Sequence, residues 1–303
     1  MKKILLATTL IAATTGYAAA EVAVSGSARM GVTYDDAAVN QMQFSSRVRV
    51  VFTMSGETDG GLTFGASVRA DQSGGNGAKT SVSAGPDNIP GTADDVTTTV
   101  GNTGETNGDS TVYLSGAFGK ITMGDTGNAP DSLVGQVSGI GYGPGALDGA
   151  ADLAFLGGNS ATGVMYEYSA GAITFGIGTG QVGNTSNYMS AAVKYSTDAF
   201  SVALGYEDSS AGNVVSLLGS ATFSGATVKA KVSDSSAGTG MALSVDYAIS
   251  GATVTAFYAD DNAPEANFGI GAAYDLGGGA SVVGGVGSVA GRTVADLGVK
   301  MSF

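Results

Sequence analysis

Four of the five arginines, Arg29, Arg47, Arg49 and Arg69, fall in three successive segments where apolar and polar residues alternate, and all four share the polar parity. A guanidinium stays charged at any physiological pH, so grouped arginines create a standing field that anions, water or carboxylates must meet. That is chemistry for steering ions and dipoles, not for breaking bonds. Lys194 has the same parity and joins this basic set; Lys229, Lys231 and Glu207 share it too and read as solvated charge. Covalent catalysis lacks its usual parts. The chain has no histidine and no cysteine, which removes Ser-His and Cys-His relays and any thiol nucleophile. Gly176-Ile177-Gly178-Thr179-Gly180 is not followed by a helical pattern, so it is no dinucleotide loop. One stretch offers oxygen ligands around a Pro-Gly turn: Asp87, Asn88, Ile89, Pro90, Gly91, Thr92, Ala93, Asp94 and Asp95. Asp87, Asp94 and Asp95 suit a hard cation such as calcium, against the plainer reading of a solvated polar loop.

The elements that must position these residues are strands. Val22, Val24, Gly26, Ala28, Met30, Val32 and Tyr34 fall on one parity, and Ala23, Ser25, Ser27, Arg29, Gly31 and Thr33 on the other. Side chains of a strand flip faces at every residue, so one face is apolar and the other wet. The same holds for Phe44, Val48, Val50, Phe52 and Met54 against Arg47, Arg49 and Thr53, and again for Leu62, Phe64, Ala66 and Val68 against Thr63, Ser67 and Arg69. Short turns are expected at 56–61, 118–120, 169–172, 196–199, 224–226, 249–252 and 275–279. Longer connections are expected at 35–43, 71–110, 125–162, 179–187, 207–213, 233–240, 259–267 and 287–292. Seven turns and eight loops join about sixteen strands, with 213–223 and 280–288 the least regular.

Such strands solve one of two problems. A soluble sandwich buries the apolar face; a membrane barrel turns it to lipid and lines a lumen with the wet face. The aromatics favour the barrel. Tyr34, Tyr206, Phe44 and Phe268 lie at one end of the apolar face, and Phe64, Phe200, Tyr195 and Tyr274 at the other. Two aromatic belts at two membrane surfaces produce that pattern, with mid-strand Gly, Ala and Val facing lipid or a neighbouring subunit. Residues 1–20 read as a cleaved secretory signal: Lys2 and Lys3, an apolar run from Ile4 to Ile11, and Ala18-Ala19-Ala20 before Glu21. The fold domain is then 21–303. The net charge of −13, more negative once Lys2 and Lys3 leave, argues against nucleic acid. Fifty glycines weaken isolated strands but are tolerable in a closed hydrogen-bonded ring. The last strand sets Thr293, Ala295, Leu297, Val299, Met301 and Phe303 on one parity and ends on the aromatic.

Several stretches resemble the general porins of alphaproteobacteria, the Rhodobacter type in particular. They are Phe44-Ser45-Ser46-Arg47-Val48-Arg49-Val50-Val51-Phe52-Thr53-Met54-Ser55-Gly56, Tyr113-Leu114-Ser115-Gly116-Ala117-Phe118-Gly119-Lys120 with Met123-Gly124-Asp125, Tyr274-Asp275-Leu276-Gly277-Gly278-Gly279-Ala280-Ser281, and Val294-Ala295-Asp296-Leu297-Gly298-Val299-Lys300. The resemblance implies an all-β transmembrane antiparallel barrel of sixteen strands in the outer membrane. It also implies a homotrimer among outer-membrane lipid and lipopolysaccharide, with a C-terminal Phe303 read by the barrel-assembly machinery. The channel would be water-filled and pass small hydrophilic solutes and ions by diffusion. Its third long loop, 125–162 here, would fold into the lumen and set the acids Asp125, Asp131, Asp148 and Asp152 opposite the basic wall. That loop is poorer in acids than its relatives' loops. The resemblance also gives 71–110 a second reading, a latch over a neighbouring subunit. Two other functions compete: a substrate-specific channel with a solute-binding lumen, and an adhesive barrel plugged by its loop. Sugar channels carry runs of aromatics on the wet face, where this chain offers only Tyr113 and Phe257, and phosphate channels need more lysines.

Overall fold

The computed structural model describes residues 21–73, 79–83, 96–100, 106–143, 146–156, 162–181 and 188–303. The strands are β1 (Glu21–Asp35), β2 (Met42–Glu57), β3 (Thr63–Ser73), β4 (Lys79–Ser83), β5 (Val96–Val100), β6 (Thr106–Gly116), β7 (Gly119–Gly124), β8 (Gly163–Ala170) and β9 (Ile173–Thr179). They continue as β10 (Tyr188–Ser196), β11 (Phe200–Ser209), β12 (Gly212–Phe223), β13 (Ala226–Ser235), β14 (Gly238–Ile249), β15 (Ala252–Asp260), β16 (Asn267–Gly277), β17 (Ala280–Val289) and β18 (Arg292–Ser302). One short helix, α1 (Ala129–Leu133), lies between β7 and β8. All strands but β4 and β5 form a single closed antiparallel ring, each paired with its sequence neighbour, β3 with β6. Pairing of β1 with β18, from Ser27↔Ser302 to Asp35↔Val294, closes the ring and leaves no free edge. The remaining two strands pair with each other as a hairpin inside the connection from β3 to β6, an element the polar composition of that connection hides.

Alternation along each strand sorts the side chains, and it does so in the opposite sense to a soluble sheet. On β11, Leu204 is 47% exposed while its neighbour Ala203 is 2% exposed; on β14, Leu243 is 45% exposed and Ser244 1%. The large apolar side chains therefore point out of the ring. Each would gain about 1.5–3 kcal/mol on leaving water, so this exterior requires hydrocarbon around it. Phe64, Phe200, Phe223, Tyr247 and Tyr274 point outward close to the short turns, and Tyr206, Tyr258 and Phe268 close to the opposite rim. The two belts are as expected. The buried apolar cluster instead lies inside the ring, where Leu133, Val134, Ile140, Leu147 and Leu153 of the 125–162 segment pack on wall residues such as Met165, Ala203, Leu218, Phe257 and Val294.

All seven short turns fall where the pattern puts them. Ser224-Gly225 and Ser250-Gly251 take positive φ at both residues (49° and 80°; 46° and 84°), the geometry a two-residue hairpin needs. Three of the expected long connections are corrected. The links near 207–213, 233–240 and 287–292 are only the two residues between β11 and β12, β13 and β14, and β17 and β18. There the ladder continues through polar pairs such as Asp208↔Asn213 and Asp234↔Thr239. Backbone pairing does not stop where the apolar alternation stops; only the need to face lipid does.

Candidate functional site

Strand register builds the basic wall. Arg29 on β1 sits directly opposite Arg47 on β2, and on its other side opposite Lys300 on β18. Lys300, Arg29 and Arg47 thus form one row across three adjacent strands, all on the lumen parity. Neither arginine of the row makes an ion pair among the described residues, and the Nε of each is buried without a hydrogen-bond partner. One step along the strands, Arg49 stands opposite Asp71 on β3. Its Nε and Nη2 donate to the two carboxylate oxygens at 2.7 and 2.8 Å, a bidentate clamp, and Arg69 Nε approaches the second oxygen at 3.4 Å. Asp71 therefore offsets part of the charge of Arg49 and Arg69 and none of the row's by direct pairing.

The closed ring removes one member of the sequence-derived wall and adds a residue that was not in it. Lys194 lies on β10, on the far side of the ring from β1 and β2, paired with Thr174 and Ala203, so it does not belong to the wall. Lys300 does belong. Its parity was legible, but only closure of the ring brings β18 beside β1. Asp71 was missed because it reads as the first residue of a loop, whereas β3 runs two residues past it.

Residues 126–143 and 146–156 of the 125–162 segment lie inside the ring as a belt along the wall. Asn128 caps α1 by accepting the Asp131 N–H at 2.6 Å, and the Ala129 N–H donates to Ser190 Oγ at 3.0 Å. The outgoing arm then passes β14, where the Ser138 N–H donates to Ser244 Oγ and Ser138 Oγ to Asp246, and reaches β18, where the Tyr142 N–H donates to Asp296 Oδ2 at 3.0 Å. Lys300 Nζ donates to the Gly141 carbonyl at 3.3 Å. The return arm brings Leu147 to β17 and Leu153 to β14. Tyr142 is fully buried, and burial pushes its phenol upward, so it stays neutral.

Glycines mark the path. A Cβ at Gly205 would come within 2.7 Å of Pro130, one at Gly271 within 2.8 Å of Ile140, and one at Gly31 within 2.9 Å of the Tyr142 ring. Gly31 and Gly298 are cross-strand partners beneath that ring. The mid-strand glycines on the lumen parity that meet belt atoms are thus the footprint of the belt.

Of the four acids assigned to this segment, Asp131, Asp148 and Asp152 lie exposed on the belt and are electrostatic neighbours of one another, and Asp148 is also felt by Lys300. Asp125 is apart from them: it ends β7, where its carboxylate accepts the Ser110 N–H at 3.1 Å. Glu207 and Lys231, read from sequence as solvated charge, are instead fully buried beneath the belt. No group of three or more acidic residues able to hold a metal occurs among the described residues, and Asp87, Asp94 and Asp95 lie outside them. Residues 1–20 also lie outside.

These features agree with the comparisons with known proteins. The chain matches the Gram-negative porin family over residues 7–293. It is 34% identical to a porin of Rhodobacter capsulatus, covering 93% of this chain and all of the relative. A mutant Rh. blastica porin superposes with a TM-score of 0.76 at 23% identity, and a triple mutant of the Rhodopseudomonas blastica porin with 0.75 at 25%; each match covers 93% of this chain and all of the other. An inward-folded belt, a polar lumen and a lipid-facing exterior are the parts of a channel, and the chain belongs to the Gram-negative porin family, the channel-forming barrels of the outer membrane.

Proposed function

We propose that this porin is a general diffusion channel, a passive path for small hydrophilic solutes and ions rather than a carrier of one substrate or an enzyme. Its constriction lies between the Lys300, Arg29 and Arg47 row and the belt acids Asp131, Asp148 and Asp152. The row carries the reading: among the described residues its arginines have no carboxylate bonded to them, while the belt acids stay exposed, so a solute meets a field directed across its path. Dipolar solutes align in such a field, and apolar ones must displace ordered water. Tyr113 and Phe257 do not make a sugar track: Tyr113 lies over Gly65 with Lys120 Nζ 4.7 Å from its ring, and Phe257 is buried against Gly269.

A trimer belongs to the same proposal. Its support is an apolar groove on the outer surface over β1, β2, β17 and β18, lined by Met30, Val32, Phe44, Val282, Leu297 and Val299. Refolded protein in a planar bilayer should give ohmic steps grouped in threes, and current that falls smoothly as neutral sugars of increasing size are added. Block by one small sugar at low concentration would instead mean a binding lumen, and folded protein without steps would mean a plug. We infer that residues 1–20 are removed, since Ala18-Ala19-Ala20 follow a basic start and an apolar run. The intact mass of the exported protein should start at Glu21; a mass retaining Met1 overturns this. The Phe303 ring points outward at the short-turn rim while its N–H donates to the Gly26 carbonyl at 2.9 Å, a position that suits the reading of an assembly receptor gripping the terminal aromatic.

A further inference from the structure

The belt is a hairpin of two arms, and two fully buried charges on the wall each touch both arms. Glu207 on β11 accepts Asn128 Nδ2 from the outgoing arm at 2.5 Å and the Leu156 N–H from the return arm at 3.1 Å. Lys231 on β13 donates to Gln136 Oε1 of the outgoing arm at 2.7 Å and to the Leu153 carbonyl of the return arm at 3.0 Å. Its Nζ lies 3.7 Å from the centre of the Phe155 ring, also on the return arm. Gln136 locks the arms to each other, its amide exchanging two hydrogen bonds with the Leu153 backbone at 2.9 and 3.1 Å. Neither charge faces the open lumen, so neither acts on a passing ion by contact.

We propose that Glu207 and Lys231 are the positioning residues of the channel, a two-point clasp that holds both arms of the belt against the wall and so sets the open cross-section. This rests on the diffusion-channel reading above. A buried charge left without its partner is expensive, so the held belt is the state in which both charges are satisfied. The surroundings fit that role. Asp131, Asp152 and Glu207 are the acids felt by Lys231, and Asp131 and Asp152 ride on the belt, so lifting it strips Lys231 of counter-charge as well as of hydrogen bonds.

Glu207→Gln tests one half of the clasp. The Asn128 amide and the Leu156 backbone reach Glu207 as N–H donors, and a glutamine offers them one oxygen and one NH₂. Asn128 cannot turn its amide to help, because its oxygen is already the cap of α1. Lys231→Met tests the other half while keeping most of the volume. Losing a buried hydrogen bond to a charged group shifts the ratio of released to held belt by about 10- to 100-fold. Single-channel records should then show brief closures and excess open-state noise absent from the parent, while the heat-modifiability of the barrel on gels is unchanged. A tether separates positioning from folding. A Cβ at Gly176 would stand 3.5 Å from the Ala129 Cβ, within disulfide range, with only the flexible ends of Leu133 and Met165 nearer, at 2.9 and 3.0 Å, and the chain has no cysteine of its own. Oxidised Ala129→Cys/Gly176→Cys in the Glu207→Gln background should restore quiet steps, and reductant should return the flicker. Quiet parental steps in both single variants overturn the proposal, and so does flicker that the disulfide does not suppress. Absence of conductance in the parent would overturn the channel reading instead.

Discussion

In a KCl gradient, the Arg29→Ala/Arg47→Ala double variant should reverse at a potential shifted toward cation preference relative to the parent. The size follows from charge and distance. A unit charge about 8 Å from a passing ion contributes about 0.5 kcal/mol at the dielectric constant of water. Two lost positive charges act with opposite sign on the cation and the anion, so the permeability ratio moves by several-fold, and by about tenfold where salt is low. Screening supplies an internal check: the shift should shrink toward 1 M KCl, where the Debye length is only about 3 Å. Arg49→Ala should shift it the same way by about half as much, since one charge is lost instead of two and the carboxylate of Asp71 is left without its clamp. Asp71→Asn should move the reversal potential the other way, toward anions. An unchanged potential in the double variant would mean that the row lies off the path of the ions.

The row also shows which parts of the site can be read from a single chain. Parity alone placed Arg29, Arg47, Arg49 and Arg69 on the lumen face, because a strand has only two faces and the lipid tolerates only one kind of residue. The belts, the short turns and sixteen strands follow from the same constraint. Lys300 has the right parity too, but its neighbourhood is created by the β1–β18 pairing, which joins the two ends of the fold domain. Lys194 fails for the same reason in reverse. It has the parity of the wall and sits on β10 across the ring, since strand number and not residue type decides which side of a barrel a charge occupies.

Glu207 and Lys231 were misread on a second ground. Inward parity means lumen, and lumen ordinarily means water; the 125–162 belt turns part of that surface into an interior, with α1 and its two arms covering the charges. Nothing local to Val202–Asp208 or Val228–Ser233 announces a cover supplied by residues far away in the chain. The glycines carried the missing signal. Gly176, Gly178, Gly205, Gly240, Gly269, Gly271, Gly285 and Gly298 are lumen-parity positions with no side chain of their own, and most meet a belt side chain where a Cβ would stand. A run of absent side chains on a face that should be polar is the trace of something packed against it.

That footprint gives the second large effect. Gly298→Val should displace the belt tip, lower single-channel conductance, and destabilise the folded channel. A Cβ at Gly298 would stand 2.7 Å from the Met30 carbonyl oxygen and 2.7 Å from Tyr142 Cδ2, and valine adds two more carbons beyond it. The backbone oxygen belongs to the β1–β18 ladder and cannot retreat without opening the seam of the ring, so the Tyr142 ring must move. Its departure pulls the Tyr142 N–H from Asp296, a buried carboxylate that loses a 3.0 Å hydrogen bond. Overpacking of this kind costs about 1–3 kcal/mol, and the lost bond to a buried charge about as much again. Gly31 and Gly298 of the wall lie against the ring, so it must move away from the wall and push the belt inward, which is why conductance should fall rather than rise. Gly219→Val is the control for valine in a strand: Gly219 shares the outward parity of Leu217, away from the belt, and nothing stands within 4 Å of a Cβ there. Melting of the barrel on gels and step size in bilayers should separate the two variants. Equal behaviour would mean that Tyr142 does not rest on Gly298 in the membrane, and that the glycines of the lumen wall are there for the strands and not for the belt.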